Sequence, residues 1–129
     1  MSPAENSARP AIVVAGDDLL FSSRLAAALD TLGYHSHVVR TLDAFTDALG
    51  KAPAAAILNL ASTRLDAVAA IRRAKTDSDT RGIPLLGFCG HADLALQAAA
   101  RTAGCDLVAS NGEIVGDLSR LLGRLLNLP

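Results

Sequence analysis

The sequence predicts a single α/β domain of the doubly wound class, built around a five-stranded parallel sheet. Short β-prone apolar runs alternate five times with longer segments of helical period, which is the pattern of βαβ units. The first and fourth runs are apolar without polar alternation, as in strands that are buried on both faces. The length of 129 residues suits one domain with one proper core.

Five strands and five helices follow from this pattern. The predicted strands cover residues 11–15, 35–40, 54–60, 84–89 and 106–110. The third run, AAAILNL, is rich in alanine and suits a helix by propensity, but its place between Pro53 and a polar segment favours a strand. The predicted helices cover residues 18–32, 42–49, a segment around 65–71, then 92–103 and 112–126.

Composition excludes several classes of protein. Half of the residues are apolar, 19% are charged, and the net charge is -1, so no basic excess favours nucleic acid or an anionic membrane surface. No apolar run is long enough to span a bilayer, and the polar start lacks the pattern of a signal peptide. We therefore expect a cytoplasmic protein with a flexible tail over residues 1–10 and one domain over residues 11–129.

Cys89 and Cys105 are the two cysteines, too few for a disulfide framework and without the spacing of a zinc site. Cys89 ends the fourth predicted strand and Cys105 precedes the fifth. In a parallel sheet these positions lie at opposite ends, so we expect two reduced thiols and no disulfide.

Doubly wound domains bind ligands at the carboxyl ends of their strands. The polar residues in these places are Asp17 and Asp18 after the first strand, Asn59 at the end of the third, Cys89 at the end of the fourth, and Ser110 with Asn111 after the fifth.

The segments VVAGDDLLF, PAAAILNL, IPLLGFCGHAD and AGCDLVASNGE together resemble the receiver domains of response regulators, from about residue 11 to residue 126. The resemblance implies a flavodoxin-like sheet with the strand order 2-1-3-4-5 and a role in two-component signalling. It also implies an acidic pair at Asp17 and Asp18, a phosphoacceptor position at Asn59, and a hydroxyl position at Cys89. The lysine position falls on Asn111, or on Ser110 if the loop is one residue shorter.

Departures from the receiver pattern argue against phosphorylation. The neutral amide of Asn59 offers no anionic nucleophile, and the Cys89 thiol is a weaker donor than a hydroxyl. With one carboxylate lost and no lysine after the fifth strand, Asp17 and Asp18 form at most a weak Mg²⁺ site. Val108 stands where the family has an aromatic switch residue. The resemblance thus implies a pseudo-receiver without catalytic residues that acts through protein partners.

Other interpretations of these residues stay open. A flavodoxin-like sensor could hold a small ligand in the crevice above Asp17, Asn59 and Cys89. Either aspartate could instead cap the first helix. Cys89 with His91 and Asp93 has the residue types of a nucleophile, a base and an acid, but neighbours on one loop do not converge readily.

His35 and His37 point to one face of a strand, where an ordinary strand edge is favoured over a metal clip.

The last predicted helix carries an apolar arc of roughly 160°, wider than the ~100° stripe that faces one core. The arc predicts a partner surface at Leu118, Leu122 and Leu126, although neighbouring helices could equally cover it. Receiver domains use the face formed by their fourth and fifth helices and fifth strand for dimers or effectors, so the resemblance implies a signalling kinase, an effector or a second copy as the partner.

Overall fold

The computed structural model describes residues 9–128, which form a parallel sheet with helices on both faces. The strand order is β2-β1-β3-β4-β5, so the predicted fold class and strand order are confirmed. The strands are β1 (Ala11–Ala15), β2 (His35–Val39), β3 (Ala55–Asn59), β4 (Leu85–Cys89) and β5 (Leu107–Ser110). The helices are α1 (Leu19–Thr31), α2 (Leu42–Leu49), α3 (Ala67–Thr76), α4 (Leu94–Ala103), α5 (Asn111–Gly116) and α6 (Leu118–Leu125).

The strand register brings the predicted site positions to one edge of the sheet. Ala15 pairs with Leu58, and Asn59 pairs with Phe88. Cys89 pairs with Ser110. Because all five strands run parallel, the segments that follow β1, β3, β4 and β5 meet at the carboxyl edge.

Two apolar cores cover the two faces of the sheet. One core packs α2, α3 and α4 against the sheet through residues such as Phe45 and Ile71. The other packs α1, α5 and α6 through residues such as Leu29, Ile114 and Leu121. The third strand is fully buried from Ala55 to Leu58, which explains how an alanine-rich run forms a strand: small side chains let helices approach on both sides.

Most helices begin at a short polar side chain that accepts a backbone hydrogen bond. Asp18, Thr41, Asp66 and Asp93 cap α1, α2, α3 and α4 in this way. Ser110 caps α5 in a reciprocal pair with the side chain three residues later. These caps satisfy N–H groups that have no partner inside the helix, so each strand-to-helix turn is fixed locally.

The prediction of one continuous helix over residues 112–126 is wrong, because the segment divides into α5 and α6 at Asp117. Asp117 has φ −129° and ψ 29°, outside helical geometry. Gly116 precedes it, and both glycine and aspartate have a weak helical preference inside a helix. Interrupting the helix at Gly116 and Asp117 therefore costs little free energy.

The predicted partner surface on this segment also needs correction. Leu118 and Leu122 are only 6% and 1% exposed and belong to the core beneath α6, while Leu126 is half-buried against it. The wide apolar arc is thus largely covered by the protein itself. Val115, at 75% exposure, is the member of the arc that faces outward.

Residues 1–8 of the predicted tail lie outside the described residues. Pro10 does not belong to a loose tail, since its carbonyl accepts a hydrogen bond from His35 N at 2.9 Å. Among the helices of residues 9–128, none has the length and apolar character needed to cross a bilayer.

Candidate functional site

The carboxyl edge of the sheet is held together by Asp17, which follows β1. Its Oδ2 atom accepts hydrogen bonds from Thr63 N (2.9 Å), Thr63 Oγ1 (3.1 Å) and Arg64 N (2.7 Å). These donors lie in the loop between β3 and α3, which we call the β3–α3 loop. Asp17 therefore connects two loops that are more than 40 residues apart in the sequence.

The hydrogen bonds to Asp17 favour its ionised form. The Arg64 backbone N–H lowers the pKa of the Asp17 carboxyl most strongly, and the Thr63 hydroxyl and N–H lower it further against the opposing effect of burial. The carboxylate is therefore ionised at neutral pH, and its negative charge strengthens the hydrogen bonds from the β3–α3 loop.

Asp18 makes a different contact from Asp17. Its Oδ1 accepts a hydrogen bond from Phe21 N at 3.1 Å, so it caps α1. The two neighbouring aspartates, expected as one acidic pair, thus divide between a loop contact and a helix cap.

Asn59 is the last residue of β3 and accepts hydrogen bonds from the loop that follows it. Its Oδ1 accepts from Ala61 N at 3.0 Å, and its carbonyl accepts from Ser62 N at 3.2 Å. Ser62 Oγ in turn accepts from Asp17 N at 3.3 Å. The amide oxygen therefore shapes the β3–α3 loop.

Gly16 lets the two strand ends approach each other closely. A Cβ atom at this position would lie 3.1 Å from the Asn59 Cβ and 3.4 Å from the Ser62 Oγ. A side chain here would require Asn59 to shift by a few tenths of an ångström, so the strand ends pack tightly at this position.

Cys89 does not line a crevice with the other site residues. It is only 1% exposed and packs in the core beneath α2, α3 and α4. Burial raises the pKa of its thiol, and the negative charge of Asp93 raises it further. The prediction of a crevice above Asp17, Asn59 and Cys89 is therefore wrong for Cys89, whose buried side chain cannot line it.

A catalytic arrangement around Cys89 also lacks support from the geometry. The Asp93 Oδ1 accepts from Leu96 N at 3.2 Å and caps α4, so it does not orient a base. A protonated, buried thiol is a poor nucleophile.

Ser110 and Asn111 place no positive charge after β5. Ser110 Oγ accepts from Glu113 N at 3.1 Å, while Ser110 N donates to Glu113 Oε1 at 3.0 Å. Asn111 is exposed as the first residue of α5. Val108 is half-buried and packs against the core under α4.

Sequence reasoning missed the residues of the β3–α3 loop that contact Asp17, namely Ser62, Thr63 and Arg64. The sequence indicates this contact only weakly, through a short polar segment after the third strand that matches no motif. Backbone N–H groups carry most of this contact, and backbone donors leave no residue-type signature.

Several oxygen atoms at this edge are already engaged in hydrogen bonds within the protein. One Asp17 oxygen is taken by three donors, the Asp18 carboxylate caps a helix, and the Asn59 oxygen holds its own loop. Hard cations need several free oxygen ligands. Across residues 9–128, no cluster of three or more His, Cys, Asp or Glu side chains could hold a metal ion.

No family model and no curated protein sequence matches the chain. Solved structures do match. The receiver domain of a sensor histidine kinase from Pseudomonas aeruginosa, with magnesium in its active-site cleft, aligns at a TM-score of 0.83 and 19% identity, covering 93% of this chain and 99% of that one.

Two further receiver domains align over a similar length. That of a signal transduction histidine kinase from Syntrophus aciditrophicus has a TM-score of 0.80 and 22% identity, covering 92% of this chain and 90% of that one. That of NtrX from Brucella abortus has a TM-score of 0.78 and 21% identity, covering 92% and 99%. The chain therefore has the fold of receiver domains.

Proposed function

We propose that this chain is a receiver-like domain of two-component signalling that works through protein contact and without phosphorylation. One observation carries the proposal: Asn59 occupies the end of β3, where a phosphoacceptor carboxylate would stand. An amide cannot form the acyl phosphate that such a carboxylate forms.

The surroundings of Asn59 support the same proposal. The Asp17 carboxylate is engaged by the β3–α3 loop, and neither Ser110 nor Asn111 supplies a cation. Phosphoryl transfer needs positive charge on the transferring group. The site is better suited to keep its loops in one arrangement than to receive a phosphoryl group.

We expect magnesium binding to be weak. The Pseudomonas receiver domain holds magnesium in its cleft. In this chain the Asp17 carboxylate would have to leave its loop donors, or share them, to act as a ligand. We therefore assign the protein no tightly bound cofactor and no catalytic role.

The partner surface is proposed at a groove between α1 and α5, which we call the α1–α5 groove. It encloses about 250 Å³ and is lined by Phe21, Arg24, Leu25, Ala28, Ile114 and Val115. Val115 is 75% exposed, and Leu20 on the same helix as Phe21 is 64% exposed. The lining is apolar apart from the exposed Arg24, which suits the apolar side chains of a protein partner.

The chemistry of that partner follows from the groove. Arg24 makes no ion pair within the described part of the chain and stands among apolar side chains. A protein segment with apolar anchors and a nearby carboxylate, such as an amphipathic helix of a kinase or effector, would complement it.

Partner binding tests the proposal directly. The full chain is used as bait in extracts of its host, with and without acetyl phosphate and Mg²⁺, beside the variants Val115→Glu and Leu94→Glu. We expect one protein to be retained equally in both conditions, to be lost with Val115→Glu, and to survive Leu94→Glu, an exposed leucine outside the groove. Binding that requires acetyl phosphate would contradict the proposal.

A further inference from the structure

A second cavity lies at the opposite edge of the sheet from Asp17 and Asn59. It is open to solvent and has a volume of about 340 Å³ beside the first residues of β1 and β2. Its lining residues are Ala11, Val13, His35, His37, Ala48, Lys51 and Pro53. This volume falls within the range of small-molecule sites.

The strand register explains how the two histidines come together. His35 pairs with Ala11 and His37 pairs with Val13, and residues two apart on a strand point to the same face. Both imidazoles therefore stand over one short apolar stretch of β1. Lys51 reaches the same cavity from the turn that follows α2.

The cavity is lined by basic side chains and by no acidic side chain. His35, His37 and Lys51 are its titratable lining residues, and no carboxylate lines it. Between Arg9 and Leu128, none of these three side chains forms an ion pair. All three are exposed, so their N–H groups can reach a ligand.

The turn that carries Lys51 is held in a fixed conformation. Lys51 N donates to Ala48 O at 3.2 Å and Ala52 N donates to Leu49 O at 3.0 Å. Ala52 has φ 56°, a left-handed conformation that a residue with a Cβ rarely adopts. Lys51 therefore projects from a defined backbone and not from a loose loop.

We propose that this cavity binds a small organic anion, with its phosphate or carboxylate group on His35, His37 and Lys51 and its apolar body against the half-buried Ala11 and Pro53. Imidazole and ammonium N–H groups both donate to anionic oxygens. The site is separate from the α1–α5 groove and does not depend on the proposed signalling function.

An NMR titration of the full chain with phenyl phosphate tests the proposal, with benzoate as a carboxylate probe and phenol as the uncharged control. We expect saturable shifts of the His35 and His37 imidazole signals with one or both anions. The His91 signal should stay in place, because His91 follows β4 at the other edge. Equal shifts with phenol, or shifts of all three histidines together, would overturn the proposal.

Variants that remove one positive charge provide a second test of the proposal. Lys51→Met should weaken anion binding at least tenfold, about 1.4 kcal/mol, whereas Arg124→Met, which removes an exposed cation on the other face, should leave it unchanged. Equal weakening by both variants would show a general charge effect and refute the site. Saturable binding of Ni²⁺ without binding of either anion would replace it with a metal clip.

Discussion

Asp17 has a structural role at the carboxyl edge of the sheet. In receiver domains an acidic residue after the first strand serves the phosphorylation site. In this chain the carboxylate accepts three hydrogen bonds from Thr63 and Arg64 and joins the loops that follow β1 and β3. The conformation of the β3–α3 loop should therefore depend on the Asp17 charge.

Asp17→Asn should lower stability at neutral pH, because an amide accepts more weakly from these donors. The pKa of Asp17 is lowered on folding, so the carboxylate stabilises the protein fully above its ordinary pKa of 3.8 and loses this effect as the pH falls through the lowered value. Urea unfolding at pH 7 and near pH 3 should show a deficit of the variant that shrinks in acid.

Asp18→Asn is the matched control, since asparagine caps a helix as well as aspartate does. It should have little effect on stability at pH 7. A constant deficit of Asp17→Asn at all pH values would argue against an ionic contact.

The cysteines provide a second test at this scale. Burial raises the pKa of both the Cys89 and Cys105 thiols, and the Cys105 Sγ also donates to Leu107 O at 3.2 Å. Both thiols are free and lie at opposite ends of the sheet. We expect slow reaction with a thiol reagent in the native protein and two reactive thiols after denaturation without reductant. A single thiol, or none, would contradict the topology.

At the scale of elements, the last segment shows what helical period can and cannot predict. The apolar arc correctly marks residues that need cover, but it does not say what covers them. Leu118 and Leu122 are covered by the chain's own sheet and α1, whereas Val115 is left outside.

Paired substitutions separate these two environments. Leu122→Glu should destabilise the fold by at least about 3 kcal/mol, because a carboxylate would be buried without a partner. Val115→Glu, on an exposed side chain, should change stability by no more than ~0.5 kcal/mol. Chemical denaturation measures both, and a stable Leu122→Glu variant would mean that α6 packs differently.

The strand positions could be predicted because buried parallel strands have a strong composition signal, as in Ile12 to Ala15 and in β4. The break at Asp117 and the engagement of Asp17 by the β3–α3 loop could not. Both depend on backbone geometry and backbone donors, which residue types specify weakly. The position of Asn59 was predicted from its motif, while its hydrogen bond to Ala61 N required the structure.

At the scale of the whole molecule, we propose a receiver fold that works without phosphorylation. Asn59→Asp should raise Mg²⁺ affinity, because it adds a carboxylate beside Asp17. Phosphorylation of this variant should remain slow without a cation after β5, and adding Asn111→Lys should raise the rate further. Mg²⁺ titration and the rate of acetyl phosphate labelling measure the two effects. A single variant that is labelled rapidly would show that the missing cation is unimportant.

The most direct test is the intact mass of the wild-type protein after incubation with acetyl phosphate and Mg²⁺. Because Asn59 offers no carboxylate and neither Ser110 nor Asn111 offers a positive charge, we predict an unchanged mass. The Asn59→Asp, Asn111→Lys double variant, treated in parallel, shows that the conditions permit labelling. A wild-type protein that gains one phosphoryl group would contradict a phosphorylation-independent function, and the labelled residue would identify the true acceptor.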